Sequence, residues 1–174
     1  MNFALKPSVS CALAASRFDT VVLVCELRAL LISEEAALAS EHYTLFHELG
    51  HALIHIYDIP AVGREEDAVD QFSALILLEG GEGGYQALQM AIALYHQSGL
   101  DRKEQPFWDV HSLDHQRHYD MLCLMYGKDP KKHADLVPGL LPKERADGCE
   151  DEYRRLDAAW DKLLAPHLKT LKTR

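Results

Sequence analysis

Three residues in one short segment, His47, Glu48 and His51, have the types and spacing of a metal-dependent hydrolytic centre. Four residues apart on an α-helix, two imidazoles share a face with about 6 Å of rise between them. They can then converge on one ion at zinc–nitrogen distances of about 2.0–2.1 Å. Glu48 follows the first histidine directly and stands beside the ion rather than on it. From there a carboxylate can take a proton from zinc-bound water and later deliver it to a leaving amine. Zinc brings the pKa of such a water down to about 7, which makes peptide-bond hydrolysis the expected reaction. The flanking Tyr43, Leu45, Phe46, Leu49, Ala52, Leu53 and Ile56 predict a largely buried helix. Two histidines and a glutamate buried there without a metal or other partner would be costly.

A catalytic zinc takes a third protein ligand, and Glu65, Glu66, Asp67, Asp70 and His55 are the candidates. His55 continues the four-residue spacing but lies about 12 Å along a straight helix from His47, too far to share an ion. It is expected to be packed or to support a ligand from behind. A further helix from about Arg64 carries Val69, Phe72, Ile76 and Leu77 inward. Glu66 shares that side with Asp70 and Ser73, whereas Glu65 and Asp67 are turned about 100° toward the flanks. Glu66 is the expected ligand, and removal of Glu65 is expected to leave zinc affinity almost unchanged.

Beyond this segment, His111, His115 and His118 have spacings of four and three that would let them face one way on a helix. A half-exposed histidine face is the expectation there, ahead of a second metal site. His111 also stands in an Asp109-x-His111 pair, where a carboxylate could hold the ring as a donor toward an oxyanion. Tyr119 is a lesser candidate for that role. Arg117 could pair with Asp114 or Asp120 or orient a substrate carboxylate, and a structural salt bridge is the expectation.

The elements that must position these residues read as one domain over 1–174. The 174 residues are 48% hydrophobic, enough for a substantial core. Asp19–Cys25 is β-branched and apolar and predicts a strand. Helices are predicted over about Glu26–Leu38, Glu41–Tyr57, from Arg64 to the glycine cluster at 80–84, and over Tyr85–Gln97, His111–Tyr126 and Cys149–Leu164. The fold class is therefore α+β, mainly α, with a small N-terminal β region. The net charge of -9 argues against a nucleic-acid partner. No apolar run reaches the roughly 18 residues of a membrane helix, so no membrane insertion is expected. Lys6 and Pro7 interrupt the N-terminal apolar residues, which do not form a convincing signal peptide.

The run His47-Glu48-Leu49-Gly50-His51-Ala52-Leu53-Ile54-His55, followed by Glu66-Asp67-Ala68-Val69-Asp70-Gln71-Phe72-Ser73, resembles gluzincin-type metallopeptidases. Val69 and Ser73 stand where alanine is usual in that group. Over about Cys11–Leu168 the chain also resembles a bacterial metallopeptidase family. The matching stretches are Gly63–Ala68, Asp109–Asp114, Gln116-Arg117 and Cys123–Gly127, with Arg145-Ala146, Cys149 and Glu152-Tyr153. The resemblance implies a zincin-like domain with one Zn2+ per chain held by His47, His51 and Glu66, and Glu48 as general base. It implies Asp70 as the partner of a ligand histidine, and a peptide or protein substrate. It also implies disulfides Cys11–Cys25 and Cys123–Cys149 and an exported location. The rival expectation is a zinc-binding sensor or peptide-recognition module on the same fold, with hydrolysis weak or lost.

Overall fold

The computed structural model describes residues 20–168, and side chains for 34 and 36–168. Six helices follow in order: α1 Thr20–Tyr57, α2 Glu65–Glu79, α3 Gly81–Asp101, α4 Asp114–Lys128, α5 Lys143–Ala146 and α6 Cys149–Leu164. A 3-10 turn at Ala134–Leu136 lies between α4 and α5. The chain divides into two compact units, Met1–Leu38 and Ala39–Arg174. The smaller contributes only helical residues of α1 to the described part. The larger unit holds the rest of the described residues.

Its centre is built by α2, α3 and α4, with α6 packed on α4. Val69 and Leu78 of α2, Leu88 and Ile92 of α3, and Met121, Leu122, Leu124 and Met125 of α4 are almost wholly buried. A second cluster joins Ile54 of α1 and Ile59 to Val69, Phe72 and Leu75 of α2 and Trp160 of α6. The Phe72 and Trp160 rings lie 4.8 Å apart. A disulfide, Cys123–Cys149, ties α4 to α6. Gly50 lets α1 come down onto α2, because a Cβ there would sit 2.9 Å from Val69.

Four expectations are corrected. Thr20–Cys25 is the start of α1, and the described residues contain no strand. A seven-residue apolar run reads the same in a buried helix as in a strand, and no partner strand follows it here. The two helices predicted over Glu26–Tyr57 are one. The glycine cluster breaks the chain only at Gly80 and Gly81, where φ is +67°, and Gly81–Gly84 already belong to α3. Gly84 is needed there, since a Cβ would lie 2.0 Å from the Leu77 carbonyl oxygen. Finally, α4 begins at Asp114 and not His111, because the Gln116 side chain reaches back to accept the Leu113 N–H at 3.0 Å. The predicted disulfide Cys11–Cys25 lies outside the described residues.

Candidate metal centre

Only one face of α1 is buried in its second half. Tyr43, His47, Gly50 and Ile54 point inward, while Leu45, Leu49 and Ile56 are 61%, 40% and 67% exposed. The expectation of a largely buried helix is therefore corrected to a one-sided one. His47 and His51 come toward α2, whose first turn carries Glu65, Glu66 and Asp67. Three acids there suit the positive end of the helix dipole.

His47, His51 and Glu66 each offer a donor atom, and the three atoms lie within 4.8 Å of one another. The Nε2 atoms of His47 and His51 are 3.3 and 3.4 Å from Glu66 Oε2. A third imidazole joins them from the segment before α4, with His111 Nε2 at 3.0 Å from the same oxygen. Each ring is anchored from behind by its own carboxylate. His47 Nδ1 is 2.8 Å from Asp70 Oδ1, His51 Nδ1 is 2.7 Å from Glu65 Oε1, and His111 Nδ1 is 2.9 Å from Asp109 Oδ1. An ionised carboxylate only accepts, so each Nδ1 must carry the proton. In the neutral rings every Nε2 then presents a lone pair.

That accounts for a pair of observations that otherwise conflict. Glu66 Oε2 is buried and makes no hydrogen bond, although three ring nitrogens crowd it. Lone pairs facing a carboxylate oxygen repel, and a buried acceptor without a donor is costly. A cation among them reverses the sign of the interaction. Two imidazoles and one carboxylate are the three-ligand set of a catalytic zinc with an open position, so the residues present fit the ion.

The support behind His47 is the most elaborate. Asp70 receives Arg117 Nε at 2.6 Å and Nη2 at 2.7 Å, and the Tyr43 hydroxyl at 2.6 Å. Arg117 also lies 4.0 Å over the Tyr95 ring. Burial pushes the Asp70 carboxyl upward, but the bonds from His47, Arg117 and Tyr43 outweigh it and hold it below its ordinary range. Burial raises the Tyr95 hydroxyl to about 12. For His51, burial lowers the pKa, and the Glu65 hydrogen bond with the charges of Glu66, Glu65 and Glu48 overcomes it, so the net direction is up. Arg64 Nη1 donates to the His111 carbonyl and to Ser112 Oγ, at 3.2 and 3.3 Å. This ties the His111 segment to the start of α2.

Several predicted residues fall elsewhere. Arg117 makes its structural bridge with Asp70, while Asp114 meets Ser98 and Arg102, and Asp120 meets Arg145. His115 and His118 do not join His111 on a face; they lie 5.9 and 4.8 Å from the His96 ring of α3. Tyr119 sits edge-on to His118 at 5.0 Å. His55 is exposed rather than packed. Glu48 is exposed on α1, one residue beyond His47. The expectation that Glu65 faces the flank and does not matter to the site is corrected, since its carboxylate lies 2.7 Å from His51 Nδ1, and Tyr43, expected only as packing, donates to Asp70. The signal for Glu65 was its place beside Glu66 on a first turn that faces two histidines.

A family model described as "Putative metallopeptidase" matches residues 25–164, and the chain belongs to that family. The description supports a metal-dependent hydrolase that acts on peptides or proteins. Neither the curated proteins nor the solved structures hold a match to the chain. Among the described residues no helix is long and apolar enough to cross a membrane.

Proposed function

We propose that the chain is a zinc-dependent peptidase of the gluzincin type, with one ion held by His47, His51 and Glu66. The observation that carries the reading is the buried, bond-less Glu66 Oε2 with imidazole Nε2 atoms at 3.0–3.4 Å, each ring backed by a carboxylate. Carboxylate-backed histidines are the usual outer support of a metal site. Membership of a metallopeptidase family adds to it. When bound, zinc supplies a Lewis acid and acidifies water at its open position.

The chain's own residues divide the remaining work. Glu48 takes the proton of the attacking water and returns it to the departing amine nitrogen. Its charge already reaches the site, since it helps to raise the pKa of His51. His111, with Nδ1 committed to Asp109, offers Nε2 to the substrate side. At rest that atom carries a lone pair; once protonated it would donate to the oxygen that gains charge as the carbonyl is attacked. Asp70, Glu65 and Asp109 fix the tautomers and orientations of the three rings. The exported location implied by the family resemblance remains part of this proposal.

Glu48→Gln tests the reading. The amide cannot accept the proton, so turnover of a mixed peptide library should fall by about 10²–10⁴-fold while zinc content stays at one equivalent. Cleavage by Glu48→Gln at close to the wild-type rate would remove Glu48 as the base.

A further inference from the structure

We infer that His111 is a fourth ligand of the metal centre proposed above, closing it at rest and giving way to water or substrate. This rests on that reading for the ion, but not on peptide hydrolysis.

Donor spacing carries the assignment. On a tetrahedral zinc with ligands at about 2.0–2.1 Å, two donor atoms stand about 3.3 Å apart. The Nε2 atoms of His47 and His51 have that spacing to Glu66 Oε2, at 3.3 and 3.4 Å. His111 Nε2 lies 3.0 Å from the same oxygen. An imidazolium paired with the carboxylate could stand as close, but it would give Glu66 Oε2 a hydrogen bond, and that oxygen has none. The His111 nitrogen is therefore near the oxygen without aiming an N–H at it, as two ligands of one ion are. His111 is not among the three donors that lie within 4.8 Å of one another, so its ring has further to close than theirs. It stands on the segment between α3 and α4, where no helix holds its backbone.

The ring is prepared as the other two are. Asp109 Oδ1 takes both the backbone N–H and the ring Nδ1–H of His111, each at 2.9 Å. Residues 109 and 111 thus move as one unit, and the neutral ring keeps its lone pair on Nε2. A metal-bound histidine almost always gives its other N–H to a carboxylate, a carbonyl or water. A neutral ring that served only as an oxyanion donor would need its proton on Nε2, and Asp109 holds that proton on Nδ1.

Three imidazoles and a carboxylate make a closed set of four, whereas a catalytic zinc keeps one place for water or substrate. One ligand must then be replaceable, and exposure ranks them. The side chains of His47 and His51 are 10% and 27% exposed, and that of His111 is 41% exposed. Asp70 behind His47 is buried, while Asp109 behind His111 is only half-buried. His111 is the ligand that water can most readily replace. Released, its ring stays on Asp109 beside the site, where its role as a donor begins.

Zinc K-edge X-ray absorption on the zinc-loaded full chain counts the imidazoles. Three are expected in wild type and two in His111→Ala, with His111→Asn in its place if the alanine variant fails to fold. Competition against a chromogenic chelator should show zinc affinity falling by at least about ten-fold in His111→Ala, and by about ten-fold in Asp109→Ala, which loses only the backing carboxylate. A donor to the oxyanion alone would leave both affinities unchanged. Two imidazoles in wild type, with zinc affinity unchanged in both variants, overturn the inference. Three imidazoles on a chain that hydrolyses no peptide would sink the peptidase reading alone. Two imidazoles on a chain that does hydrolyse peptides would sink the fourth ligand alone.

Discussion

Glu65→Ala separates the positioning of His51 from the integrity of the fold. The Glu65 side chain is 48% exposed, and its Oε1 accepts from His51 Nδ1 at 2.7 Å. Removing it frees the ring to turn and lowers the basicity of Nε2. Outer carboxylates of this kind are worth about 10–100-fold in metal affinity, which is about 1.4–2.7 kcal/mol. An exposed residue away from the core should change the stability of the metal-free chain by no more than about 0.5 kcal/mol. Glu65→Gln keeps an acceptor oxygen but not the charge, and should fall between alanine and wild type. Competition against a chromogenic chelator at fixed pH reads the affinity, and urea unfolding of the stripped protein reads the stability. A Glu65→Ala affinity within about two-fold of wild type would refute the argument. An affinity loss matched by an equal loss of metal-free stability would refute it too, because the effect would then be on the fold.

Elemental analysis after mild dialysis should find one zinc per chain, and close to none in Glu66→Ala; two equivalents in wild type would contradict a single site. Cys123 and Cys149 enclose a loop with a separation of 26 residues, so replacing both with serine should cost about 3.5 kcal/mol in urea unfolding. Gly50→Ala places a Cβ 2.9 Å from Val69, and overpacking of about 1–3 kcal/mol, partly offset by about 1 kcal/mol of helix propensity, should lower the melting temperature. Burial lowers the pKa of His118 and of His133, so their contribution to stability is complete above about pH 6.5 and is lost as pH falls through their lowered values. These two groups should weaken the metal-free protein from pH 7 to 5, against the opposite contribution of His51, and His118→Asn, measured by urea midpoint against pH, should remove its share of the weakening.

Local pattern made some elements readable and left others dark. Helix α6 runs over Cys149–Leu164, the range predicted from sequence. The four-residue spacing of His47 and His51 needed only helical geometry, and the structure brings both rings to Glu66. What stayed hidden depends on residues far apart in sequence. Arg117 was assigned to carboxylates on its own helix, yet its partner Asp70 lies 47 residues away and is reached only once α4 packs on α2. Leu45, Leu49 and Ile56 looked like core, since apolar type alone does not say which face another helix will cover.

Glu65 shows where a helical wheel stops being informative. The wheel sets its Cα about 100° from that of Glu66, which suggested that only one of the two could face the site. At the first turn of a helix no preceding turn blocks the side chains, and a glutamate spans several ångströms from its Cα. What then decides is the position of α1, brought close by Gly50 against Val69. Glu66 meets the Nε2 edge of both histidines, while Glu65 meets the Nδ1 edge of His51 alone. Two adjacent acids thus take opposite edges of one ring, one facing the site and the other behind it. The division follows from the two edges of an imidazole, which a count of residues per turn does not contain.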